Sequence, residues 1–261
     1  FTQMNNVYII KRKDSAAIEI KTIDNLLKVK PSYGIEDEFT YLIKLNNKRI
    51  ESIDLCDSVL YFDVFEQILP SNDYDFYSEN IKTHFRKNSL FDTIYYSSNY
   101  LVNADSTMEF FKLGNPNTQP LKDYIDVTLS PKKTYNKTNT FVYSEFDNKY
   151  NFIGGIWDDT QLIFSTRDFG NYTILTDSLA PLITPISITK NSFKFKIDDK
   201  LSGIKNFNVY VNGNWILADY DYKTKLIWSI EGDINLKAND VLNVVVIDNA
   251  ANEANYSTKI K

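Results

Sequence analysis

The sequence predicts an all-β protein built from tandem β-sandwich domains, the last of them immunoglobulin-like. Three observations carry this prediction. The runs between turn signals are rich in Ile, Val, Thr and aromatic residues, with 18 Tyr and 17 Phe in 261 residues, and these types favour pleated, half-buried surfaces. Apolar residues recur at period two, and no helical period of useful length competes. Short strand-like runs are separated by Asn, Pro, Gly and Lys clusters at the spacing of sandwiches or barrels.

Length allows two or three domains, because single cores rarely grow beyond about 250 residues. Three are expected: an N-terminal small sandwich over 1–72, a middle sandwich or barrel over 73–177, and a C-terminal immunoglobulin-like domain over 178–261. In the first, Val7–Ile10 and Ala17–Ile20 flank a turn at Asp14-Ser15. Phe39, Tyr41, Ile43 and Leu45 share one face of a strand. Asn46-Asn47 then suits a tight hairpin turn into Arg49–Leu55, because Asn tolerates positive φ. The polar stretch Ser71-Asn72-Asp73-Tyr74-Asp75 marks the first boundary.

The second domain is expected to hold strands at Ser89–Tyr96, Met108–Leu113, Tyr124–Leu129, Phe141–Phe146, Gly155–Trp157 and Leu162–Ser165. Its end is signalled by Thr176-Asp177-Ser178-Leu179-Ala180-Pro181, with Pro185 just beyond as a block to a central ladder position. The third offers Ser192–Ile197, Asn206–Val211, Asn214–Ala218, Leu226–Ile230 and Val241–Ile247, about the strand count of an immunoglobulin-like sandwich. Asn212-Gly213 is its strongest local signal. A two-residue turn there pairs Val211 with Asn214, Tyr210 with Trp215 and Val209 with Ile216, which puts Phe207, Val209 and Ile216 on the core face.

Composition excludes several function classes. Hydrophobic residues make up 43 % and charged residues 24 %, with a net charge of −5 and no basic cluster denser than Lys11-Arg12-Lys13, so the electrostatic footprint of a nucleic-acid binder is missing. No run is apolar enough for a transmembrane helix. Cys56, the single cysteine, rules out an internal disulfide and reads as a small buried hydrophobe. The chain opens at Phe1 without a signal segment, as expected of a processed protein or a piece of a longer one.

Enzyme chemistry is short of material. One histidine, His84, is too few for the usual catalytic zinc ligation, and no His-Glu-x-x-His, Cys-x-x-Cys or Gly-x-Ser-x-Gly pattern occurs. His84 reads as a surface strand residue. Phosphate-cradling glycine loops are absent, so no catalytic residue and no cofactor is expected. Asp198, Asp199, Asp219, Asp221 and Asp248 suggest calcium as a lesser reading, with turn capping preferred. Tyr210, Trp215, Tyr220 and Tyr222 are candidate ligand or partner contacts, with hairpin pairing and core packing as the preferred use.

From Asn88 onward, motif order resembles the non-catalytic C-terminal region of Bacteroidetes M23-type peptidoglycan metallopeptidases. The matching stretches are Asn88-Ser89-Leu90-Phe91-Asp92-Thr93-Ile94, Arg167-Asp168-Phe169-Gly170-Asn171-Tyr172, and Asp177-Ser178-Leu179-Ala180-Pro181. Further on come Asp198-Asp199-Lys200-Leu201-Ser202-Gly203-Ile204, Asn212-Gly213-Asn214-Trp215-Ile216-Leu217, Asp219-Tyr220-Asp221-Tyr222-Lys223 and Asp248-Asn249-Ala250-Ala251-Asn252. The family's His-x-x-x-Asp and His-x-His zinc motifs do not occur, so zinc would belong only to a separate catalytic domain.

The resemblance implies a non-catalytic module of the periplasm or outer surface of a Gram-negative bacterium, an expectation that the Asn, Lys, Ile and Tyr bias of an AT-rich bacterial genome fits. Envelope proteins or an upstream peptidase domain are the implied partners. Two alternatives stand beside it: a carbohydrate- or peptidoglycan-binding module using exposed aromatics, and a structural subunit of a surface secretion or adhesion assembly.

Overall fold

In the computed structural model, residues 2–4, 7–22, 25–44, 50–55, 58–61, 66–104, 107–116, 120–230, 232 and 234–261 are described. Among them there is no helix; the chain is all-β, built of antiparallel sheets. The first eight strands are β1 (Thr2–Met4), β2 (Val7–Arg12), β3 (Ile18–Thr22), β4 (Leu26–Val29), β5 (Tyr33–Ile35), β6 (Glu38–Lys44), β7 (Ile50–Asp54) and β8 (Val59–Tyr61). They form two four-stranded sheets, β1-β2-β6-β5 and β4-β3-β7-β8. Ile10, Tyr41 and Ile43 from one sheet pack with Ile18, Ile20 and Ile53 from the other. Burying each of these contributes roughly 1.5–3 kcal/mol.

The expected Asn46-Asn47 hairpin is corrected by this topology. Residues 45–49 lie outside the described residues, but the strands on either side, β6 and β7, belong to different sheets. Period-two alternation says which face of a strand is buried and not which strand it pairs with. Leu45 and Cys56 also lie outside the described residues.

The next twelve strands are β9 (Glu66–Ile68), β10 (Tyr74–Tyr77), β11 (Ile81–Phe85), β12 (Ile94–Tyr96), β13 (Ser98–Val102), β14 (Glu109–Leu113), β15 (Ile125–Leu129), β16 (Thr140–Phe146), β17 (Lys149–Gly154), β18 (Ile156–Asp158), β19 (Gln161–Thr166) and β20 (Gly170–Thr176). One five-stranded sheet runs β10-β11-β15-β19-β18, and β9 pairs with β12. The strand expected over Ser89–Tyr96 begins only at Ile94. Ser89 is instead a buried loop residue whose carbonyl accepts the Lys122 and Asp123 N–H groups.

The last eight strands are β21 (Leu182–Thr189), β22 (Ser192–Asp198), β23 (Ile204–Val211), β24 (Asn214–Ile216), β25 (Ala218–Asp221), β26 (Leu226–Ser229), β27 (Val241–Asp248) and β28 (Glu253–Lys259). Two four-stranded sheets, β21-β22-β26-β25 and β24-β23-β27-β28, enclose Phe193, Phe195, Ile197, Val209, Ile227, Leu242, Val244 and Val246. The Asn212-Gly213 turn has both residues at positive φ, 48° and 82°, and the pairs Val209–Ile216, Tyr210–Trp215 and Val211–Asn214 form in the expected register. Phe207 and Ile216 pack against the core.

Pro185 is kept out of a central ladder position, as the sequence suggested. It lies inside β21, the edge strand of its sheet, where the register shifts between Pro185 and Ser187. An edge strand at a bulge tolerates the missing N–H.

The chain divides into two compact units, one of residues 1–133 and 155–173, the other of 134–154 and 174–261. The carboxylate cluster and the aromatic candidates described next lie within the second.

Candidate functional site

Three of the motif-bearing segments meet in the second unit. Asp177 follows β20, Asp199 opens the β22–β23 loop and Asp248 ends β27, and one carboxylate oxygen from each lies within 4.8 Å of the others. Asp177 and Asp248 are buried and Asp199 is half-buried.

Each segment folds locally around its own acid. Asp177 Oδ1 accepts the Leu179 N–H at 3.2 Å, and its Oδ2 accepts the Ser202 N–H at 3.0 Å. Asp199 Oδ2 accepts the N–H groups of Leu201 (3.0 Å) and Gly203 (2.7 Å). Gly203 sits at φ +79°, a conformation that favours glycine. Asp248 Oδ1 accepts the Asn252 N–H at 2.8 Å, closing the β27–β28 turn. Ala251 in that turn adopts φ +67°, an unusual cost for a residue with a Cβ.

The segments are also tied to one another. The Asn252 amide donates to Asp248 Oδ2 (2.8 Å) and to the Asp177 carbonyl (2.9 Å), and its oxygen accepts from Asn139 Nδ2 at 2.6 Å. The Asn249 amide donates to the Ser202 carbonyl at 2.9 Å. Burial, opposed by the two Asn252 bonds and reinforced by the charges of Asp177 and Asp199, holds the Asp248 carboxyl above its ordinary value.

Tyr143, on β16, lies within range of the cluster's charges. It is fully buried, with its ring edge-on to Phe152 at 5.5 Å. Its hydroxyl has no hydrogen-bond partner. It stands close enough to the carboxylates that, after burial, the charges of Asp177, Asp199 and Asp248 all raise its pKa. A hollow of about 450 Å³, lined by Asp177, Leu179, Asp199 and Lys200 among others, opens beside the acids.

Of the five acids named from sequence, the structure therefore brings Asp199 and Asp248 together. Asp198 instead pairs with Lys225, and Asp221 caps the turn at Lys223 and Thr224. Asp177 read as a domain boundary and Tyr143 as one aromatic in a strand; the run Phe141–Phe146 carried no signal that would single it out.

The aromatic candidates lie on two sheets. Tyr210 and Trp215 face each other across β23 and β24, and the Trp215 indole N–H donates to Asn208 Oδ1 at 3.1 Å. Tyr220, on β25, packs against Phe207 with the ring planes tilted by 55° and centroids 5.4 Å apart, and Tyr222 follows under the Lys223 ammonium. Trp215 is 57 % exposed and Tyr222 70 %, so both present ring surface to solvent. In the first unit, His84 sits on β11 and bonds through Nδ1 to Asp75 Oδ1 of the neighbouring strand at 2.8 Å. That bond, opposed by desolvation, lowers the Asp75 carboxyl.

Fold and site together define an all-β protein of tandem sandwiches with a buried carboxylate cluster joining three loops. Residues 67–177 match the family described as a Zu5-like domain. No curated protein matches the chain.

Proposed function

We propose that the chain is a non-catalytic cell-envelope β-domain module that positions or docks an M23-type peptidoglycan peptidase, or an envelope complex, through protein contacts. In this reading it works as three domains over 1–72, 73–177 and 178–261, in the periplasm or at the outer surface of a Gram-negative bacterium. The observation that carries the reading is the bracing of the second unit. Loops at 177–179, 199–203 and 248–252, distant in sequence, are cross-linked by Asn249 and Asn252. Such bracing suits a part whose task is to hold a fixed geometry rather than to cycle through one. The order of motifs from Asn88 onward supports the same reading.

One observation favours a second reading. Trp215 and Tyr222 offer exposed aromatic faces, which suit stacking on sugar rings, so a carbohydrate- or peptidoglycan-binding module is the alternative. A structural subunit of a surface assembly would use the same protein contacts as the first. A pull-down of the intact chain on protein-stripped sacculi, run beside Trp215→Ala, separates the readings. The first predicts no saturable retention of either protein; retention of the intact chain that the substitution abolishes would favour glycan binding.

A further inference from the structure

We infer that Asp177, Asp199 and Asp248 form a calcium site that clasps three loops of the second unit, with the Tyr143 hydroxyl bonding to its coordination shell. Turn capping explains part of the cluster, since each acid accepts nearby N–H groups. It does not explain why the three acids converge. Each carboxylate oxygen has two lone-pair positions, so the caps leave capacity for a cation.

The spacing fits one ion. Calcium binds oxygen at about 2.4 Å, so two ligand oxygens of one ion are at most roughly 4.8 Å apart, and the three carboxylate oxygens lie within that distance. Two of the acids are buried, and like charges out of water are costly unless a counter-charge joins them. A divalent cation supplies it.

The independent observation is Tyr143. Its hydroxyl is buried and bonds to nothing in the protein, and the charges of all three carboxylates act on it. Buried hydroxyls are mostly paired, and of the two buried hydroxyls without a partner among the described residues, those of Ser89 and Tyr143, only that of Tyr143 lies within range of the three carboxylate charges. A metal-bound water or a ligating carboxylate oxygen would be its partner. Asp177 and Asp199 also line the neighbouring hollow.

The donor set selects the ion. Oxygen-only ligands suit hard cations rather than zinc or copper. Three carboxylates from three separate loops suit the flexible geometry of calcium, whereas magnesium is usually held by one or two carboxylates and keeps its waters.

The test uses the full chain, stripped with EDTA and titrated with calcium by calorimetry and by thermal melting. Saturable binding and a melting temperature that rises with calcium are expected, with a smaller shift from magnesium at equal concentration. Asp199→Asn, at the half-buried acid, weakens calcium binding by roughly tenfold or more. Tyr143→Phe leaves the carboxylates in place and folds in EDTA at least as well as the parent, yet binds calcium more weakly. No binding at millimolar calcium, equal shifts with both ions, or unchanged calcium affinity in both variants would overturn the inference.

Discussion

Truncating Asn252 removes the residue that links two of the acids to the rest of the second unit. In Asn252→Ala, Asp248 Oδ2 loses its 2.8 Å donor, the Asp177 carbonyl its 2.9 Å donor and the Asn139 amide its 2.6 Å acceptor. A bond to a charged group contributes about 1.5–3 kcal/mol and a neutral one about 1 kcal/mol. Asn252 is only half-buried, so water recovers part of the loss, and the expected cost is about 3 kcal/mol. At roughly 4 °C per kcal/mol for a unit of this size, the transition that reports on it should fall by about 12 °C in EDTA. Scanning calorimetry of the full chain measures this. A fall of less than about 3 °C would refute the claim that Asn252 ties these loops together.

Further expectations follow from the same geometry. Asp248 has a folded-state pKa above its ordinary 3.8, so its charged form costs stability above the folded value, and the cost fades as pH falls towards the unfolded one. Urea midpoints of the parent relative to Asp248→Asn, taken in EDTA, should therefore improve on acidification from neutral pH to about 4; a pH-independent difference would contradict the assignment. Calcium affinity should weaken over the same window, because the ligand must be ionised. Gly114→Ala should destabilise by about 2 kcal/mol or more: its φ is +54°, and the new Cβ would stand 2.8 Å from the Phe169 ring. Trp215→Ala should cost no more than about 1 kcal/mol, the worth of a cross-strand pair, which keeps it usable in binding assays; equilibrium unfolding checks both substitutions.

Much of the fold was legible because alternation is a local property. β19 and β27, which alternate strictly in burial, announce themselves by period two, and Asn212-Gly213 fixes a register from two residues. β21 and β28 were missed for a physical reason: both are edge strands, β21 carries Pro185, and β28 (EANYSTK) buries no residue fully. The Asn46-Asn47 error has a related cause, since a turn-compatible pair cannot say whether the chain folds back or crosses to the opposite sheet. The carboxylate cluster was half legible. Asp177, Asp199 and Asp248 each sit in a segment that stands out as a motif, but locally each reads as a turn cap, and caps they are. Convergence is a tertiary fact, as is the orphaned hydroxyl of Tyr143, which only the packing of β16 reveals.

The proposal that the module works through protein contacts is tested most directly by placing a photo-crosslinking amino acid at position 215 and irradiating cells that carry the parent gene. The account predicts a discrete adduct that proteinase destroys and muramidase leaves intact. An adduct that resists proteinase and is released by muramidase would contradict it.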